Sequence, residues 1–214
     1  FAEQLAKRLA KCGVDVTVFC PTDSPRPTET WQGVRLRYVQ FPRMGKYSEM
    51  IWDGRCFCEA RCDFEIVYML GLGGAYAAWV PRICGSTVWV NTDGVEWKRT
   101  KFYWAQRGYL ALAEALSVLF ANRIIADSAA IAAYLRNRFF KPGHISTIAY
   151  GADIPLEQPD AEVVGQFGLE PDGYYIVVCR LEPENHVREI LQGYTESGIT
   201  TPLLKVAPLA KLPA

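Results

Sequence analysis

Only two histidines, His144 and His186, occur in the 214-residue sequence, and neither charge is in surplus, with 23 Lys and Arg against 23 Asp and Glu. That balance leaves no global field to recruit nucleic acid or an anionic membrane, so nucleic acid is not an expected partner. No apolar run is long enough to span a bilayer, and the N-terminus lacks the basic, apolar and small-residue order of a signal peptide. A cytoplasmic protein is expected. The seven cysteines are an odd number, scattered through a chain too large to need disulfide staples, and are expected as reduced thiols. Only "CFCEARC" clusters them. On a helix Cys58 and Cys62 would share a face while Cys56 points elsewhere, and both histidines are distant in sequence. Metal binding is therefore disfavoured, and the thiols read as packing residues.

What is present is an apolar pattern, half of the residues being hydrophobic, which suffices for a sizeable core. "FAEQLAKRLAKCG" has helical period and a glycine stop. "VDVTVFCP" and "GVRLRYVQFP" read as strands, "KYSEMIWDGRCFCEAR" as a helix, "FEIVYML" as a strand entering "GLGG", and "AYAAWVPRI" as a helix. "STVWV" is the next strand, and "YWAQRGYLALAEALSVLFA" the longest helical pattern. Then come strand "RIIAD", helix "SAAIAAYLRNRFF" with Ser128 as N-cap, and strand "HISTIAY". Such alternation, with nearly continuous apolar strands, predicts an α/β fold with a parallel sheet wrapped by helices. From Pro155 to Gly173 the composition shifts to proline, acid and glycine, a linker with a short helix "DAEVVGQFG". A second unit follows as strand, charged turn, helix and strand, with too few elements to close a core.

Two strand ends concentrate chemistry. In open parallel sheets, ligands bind beyond the carboxyl ends of the strands. Asn91, Thr92, Asp93 and Gly94 fall at such an end, followed by Glu96, Trp97, Lys98 and Arg99. Carboxylate, amide and aromatic groups together suit a polyhydroxylated substrate. The same residues equally suit a solvated loop in which Asp93 caps a helix and Lys98 and Arg99 face water. At "VVCRLEPEN", Arg180 ends a strand and Pro183 prepares a helix start, a place for a phosphate. Its alternative is a surface arginine paired with Glu182 or Glu184.

"VNTDGVEWKRTKFYW", "ANRIIADSAAIAAYL", "IAYGADIP" and "VVCRLEPENHVREILQGY" together resemble the rhamnosyltransferase-type branch of the retaining GT-B glycosyltransferases, bacterial enzymes of cell-surface polysaccharide synthesis. The resemblance runs over nearly the whole chain. It implies two Rossmann-like domains: residues 1–154 on the acceptor side, lacking the family's first strand and Gly-rich loop, and 155–214 as linker and start of a truncated donor domain. It implies a hexosyltransferase-type enzyme that transfers a deoxyhexose such as rhamnose from a nucleoside diphosphate to a glycan or lipid-linked glycan, with retention. Contact with the inner membrane surface would then be peripheral. No cofactor or metal is expected. Asp93 and Arg180 are the catalytic candidates, Arg180 and Asn185 the diphosphate site, and Thr92, Asp93, Gly94, Glu96, Trp97, Lys98 and Arg99 the acceptor or sugar site. Ser128, Tyr150, Gly151 and Asp153 are placed at the interdomain cleft. Relatives pair the arginine matching Arg180 with a lysine, where this chain has Asn185. Residues 1–214 alone are expected to be inactive. The alternative is a noncatalytic glycan- or nucleotide-binding module or a degenerate transferase subunit; an epimerase lacks acid and base residues in order.

Overall fold

The computed structural model describes residues 1–99, 102–139, 142–154 and 161–207. The chain divides into two compact units, Phe1–Gly151 and Ala152–Ala214. Residues 155–160, which begin the expected linker, and Pro208, at the end of the expected last strand, lie outside the described residues.

In the first unit, α1 (Ala2–Lys11) stops as its sequence dictates. Gly13 takes φ 84°, open to glycine without penalty, and Val14 N–H returns to the Leu9 carbonyl at 3.1 Å. β1 (Thr17–Thr22) and β3 (Val34–Gln40) pair in parallel, while β2 (Glu29–Trp31) pairs antiparallel with β3. β2 is absent from the sequence reading because three residues carry no usable period. Gln32 and Gly33 both take positive φ, 48° and 81°, as a two-residue hairpin of type I′ requires.

α2 (Ser48–Ala60) leads to a second, all-parallel sheet in chain order: β4 (Ile66–Leu70), β5 (Thr87–Asn91), β6 (Arg123–Ala126) and β7 (Ile145–Thr147). Between these strands run α3 (Trp79–Ile83), α4 (Trp104–Phe120) and α5 (Ala129–Phe139). Val88, Val90, Ile124 and Ala126 are buried with Phe57, Ala113 and Leu135 from the helices. Covering both faces of these strands is why they read as continuous apolar runs.

Two expectations need correction. The single parallel sheet is divided, for the ladder is broken between β1 and β4 among the described residues. Ile66 and Leu70 on β4 are half exposed. The cysteines, expected reduced throughout, include a disulfide between Cys62 and Cys84, with Cα atoms 5.0 Å apart. Parallel register sets Ile66 opposite Thr87, which brings the turns before β4 and β5 side by side. Linear spacing does not report that proximity.

The second unit has a short α6 (Ala161–Gly165), then a βαβ unit in which β8 (Tyr175–Val178) and β9 (Leu203–Val206) pair in parallel around α7 (Val187–Glu196). Among the described residues, no helix is long and apolar enough to cross a membrane.

Candidate active site

β5 ends at Asn91, whose side chain is buried and shared between two neighbours. Its Nδ2 donates to Asp127 Oδ1 at 2.9 Å, and its Oδ1 accepts the Asp93 N–H at 2.7 Å. The second bond is an Asx turn, which holds Asp93 at φ 56°, a left-handed conformation that aspartate tolerates better than most residues. Asp93 is thereby presented to solvent at the strand end, and it does not cap an α-helix; a turn of 3-10 helix, Glu96–Lys98, follows. Gly71, at φ 121°, ends β4 beside it and donates its N–H to the Asn91 carbonyl at 3.0 Å.

These groups open on a cavity of about 210 Å³ lined by Phe1, Ala2, Leu70, Gly71, Asn91, Asp93 and Tyr150. Tyr150 hydrogen-bonds Asp127, and burial together with that carboxylate pushes its phenol up to about 12. It is a proton donor at any physiological pH. Thr92 is buried, and its Oγ1 has no hydrogen-bond partner among the described residues, an uncommon condition for a hydroxyl. Carboxylates, an amide and a phenol around a small cavity can bind several hydroxyl groups at once.

The residues after Asp93 are fastened to the fold. Trp97 Nε1 donates to Tyr134 Oη at 3.1 Å, and Tyr134 in turn donates to Glu114 Oε1 at 3.1 Å. Glu114 is 1% exposed on α4 and receives Arg138 Nε at 3.1 Å. Burial pushes its carboxyl above the usual range, although Tyr134 and Arg138 oppose that. Lys98 lies over the rings of Trp97 and Tyr134, and Arg138 lies over Trp97. Glu96 accepts from Arg99 at 2.7 Å. Gly94 is half-buried in the loop itself. Lys98 is exposed with its ammonium over the two rings, and Arg99 is half-buried against Glu96.

Ser128 accepts the Ile131 N–H at 3.2 Å as the N-cap of α5, and Gly151 is the last residue of the first unit. Asp153 belongs to the second unit, as do Arg180 and Asn185. Arg180 is exposed just past β8. Asn185 Nδ2 donates to the Arg180 carbonyl at 2.8 Å and Glu182 N–H to the same oxygen at 2.9 Å, so Asn185 closes the loop that carries the guanidinium. Pro183 starts a turn of 3-10 helix, and α7 begins only after His186, at φ 49°. The expected continuous helix start at Pro183 is corrected accordingly.

The sequence reading missed Asp127 and Glu114. Asp127 had a visible signal, an acid at the end of a buried strand in "RIIAD". Glu114 had only one, a carboxylate within the otherwise apolar run "LALAEALSVLF". Among the described residues, no group of three or more His, Cys, Asp or Glu side chains is placed to hold a metal ion.

Residues 1–151 match the family described as glycosyl transferase 4-like domain. The chain belongs to this family. Its fold is of the GT-B glycosyltransferase type, as in solved structures of HepE from Anabaena. The HepE complex with UDP-glucose has a TM-score of 0.54 at 15% identity, covering 82% of this chain and 56% of that one. The complex with UDP and glucose gives 0.54 at 14%, covering 82% and 56%, and the complex with UDP gives 0.51 at 15%, covering 84% and 57%. The chain thus spans a little over half the length of these structures. No curated protein matches it in sequence. The glycosyl transferase 4-like match covers the whole Asp93 cavity and ends where the first unit ends.

Proposed function

We propose that the protein transfers a sugar from a nucleoside diphosphate to a hydroxyl of a glycan or lipid-linked glycan, with retention and without a metal. The observation that carries this is the Asp93 cavity at the carboxyl ends of β4 and β5, within the residues that the glycosyltransferase family matches. Residues 1–154 take the acceptor-side role and residues 155–214 begin the donor-side one. HepE, bound to UDP-glucose in its solved structure, supports a nucleotide-sugar donor. The rhamnosyltransferase-type segments favour a deoxyhexose such as rhamnose.

Transfer breaks the bond between the sugar and the diphosphate through a transition state that resembles an oxocarbenium ion and a departing anion. Arg180 supplies the positive charge on that anion, and its planar fork gives two N–H bonds where a lysine would give one charge. Asn185 acts by holding the Arg180 loop through the carbonyl bond. Asp93 accepts a hydroxyl of the acceptor or donor sugar, and the acceptor proton passes to the departing phosphate oxygen. Work at the cytoplasmic face of the membrane, in cell-envelope polysaccharide synthesis, accords with this reading.

Calorimetric titration of UDP and dTDP into the full-length protein with chelator present tests the donor half. Arg180→Ala should weaken binding at least tenfold, and Arg180→Lys should restore part of it, since charge returns without the fork. Equal affinities in the wild type and the alanine variant would remove Arg180 from the site.

A further inference from the structure

A second cavity lies at the carboxyl ends of the other sheet. It measures about 460 Å³ and is lined by Thr22 at the end of β1 and Asp23 after it, Phe41 and Arg43 after β3, and Ser48 at the start of α2, among others. We infer that this cavity binds a neutral sugar residue of the acceptor glycan. The inference rests on the acceptor-side role proposed above for the first unit.

Three observations select a neutral sugar. First, the charges cancel: Arg43 Nε donates to Asp23 Oδ1 at 2.8 Å, and Nη2 donates to Oδ2. A phosphate would have to displace that carboxylate, whereas vicinal hydroxyls can add to it, because both partners keep unused lone pairs and N–H groups. Second, the hydroxyls are pre-oriented. Ser48 Oγ accepts the Met44 N–H at 2.8 Å, which leaves its proton to donate, and Thr22 Oγ1 is fixed by donating to the Ser24 carbonyl at 2.7 Å. Third, the wall carries an aromatic ring, Phe41, which is backed by Trp52 at 6.5 Å between ring centroids. An apolar ring beside paired donors and acceptors is what a pyranose presents in complement, with a C–H face and an equatorial rim of hydroxyls.

The test is a saturation-transfer NMR titration of the full-length protein with methyl α-L-rhamnopyranoside and methyl α-D-glucopyranoside. At least one glycoside should bind the wild type. Asp23→Asn, a change at an exposed position, should weaken the glycoside about tenfold. Phe41→Leu keeps apolar volume while removing the ring, and should weaken the glycoside similarly. Unfolding curves matching the wild type would show that both variants are folded; if Phe41→Leu is not, Asp23→Asn alone decides. No glycoside binding at all would overturn the inference, as would glycoside binding that neither variant weakens. Glycoside binding that follows Asp93→Asn and ignores Asp23→Asn would place the sugar in the Asp93 cavity, overturning the inference while leaving the transferase reading intact.

Discussion

Replacing Glu114 by alanine should loosen the segment that follows Asp93 and cost the first unit about 3 kcal/mol. The magnitude follows from the bonds removed. Tyr134 Oη loses a buried acceptor at 3.1 Å, and a hydrogen bond to a charged or partly charged group is worth about 1.5–3 kcal/mol. Arg138 also loses its partner, but its side chain is 35% exposed and can return to water, so the full ~3–5 kcal/mol of a broken buried pair does not apply. For a unit of this size, that loss lowers the thermal midpoint by roughly 6–12 °C. Glu114→Gln should cost only about 1 kcal/mol, because glutamine keeps an acceptor for Tyr134. Thermal and urea unfolding by circular dichroism give both values, and the indole N–H resonance of Trp97 reports the segment. The alanine variant should shift that resonance as Tyr134 reorients. An alanine variant within about 0.5 kcal/mol of the wild type, the range of ordinary surface substitutions, with an unmoved Trp97 resonance would refute the reasoning.

Asp53, half-buried near Glu49, has its carboxyl pushed up to about 7 by desolvation first and by Glu49 second. Between its ordinary value of 3.8 and about 7 the folded state holds more protons than the unfolded one, so this contribution to stability is complete below the lower value and is lost as pH rises through about 7. Asp53→Asn should flatten that part of a urea-unfolding series taken from pH 4 to pH 8; an unchanged slope would contradict it. The Cys62–Cys84 disulfide closes a loop of 22 residues' separation, so Cys84→Ser should lower stability by up to about 3 kcal/mol relative to the oxidised protein and remove its response to reductant. An oxidised wild type no more stable than the variant would count against that constraint. Asp93→Asn should keep the fold, since the Asx turn uses the Asp93 N–H and not its carboxylate, yet reduce turnover at least tenfold. A variant that is less stable but equally active would assign Asp93 to the turn alone.

What could be read before the structure was whatever depends on periodicity. The apolar run of β5, the seventeen residues of α4 and the Ser128 cap all leave local signatures, and each is found in place. Strand-end position also singled out Asn91 and Asp93, and both line the cavity at that end of the sheet. Pairings between distant residues leave no such trace. Glu114 meets Arg138 across α4 and α5, and Cys62 meets Cys84 through the register of β4 and β5. Thr22, Asp23 and Arg43 gave no warning of a cavity, because their two strands pair only in the folded sheet and β2 interrupts the sequence between them. The contacts of Trp97 and Lys98 with Tyr134 on α5 are likewise not reported by spacing. Here Trp97 donates to Tyr134 and Lys98 covers both rings.

The central claim is tested most directly by incubating the full-length protein with isotopically labelled UDP-glucose and dTDP-rhamnose and a panel of glycan acceptors, with chelator present, and reading the product by NMR. Transfer of label to an acceptor hydroxyl with the donor's anomeric configuration, lost in Asp93→Asn and Arg180→Ala, is the predicted result. Binding of a donor or a glycan with no transfer to any acceptor, in a folded wild-type protein, would contradict the account and make the chain a binding module.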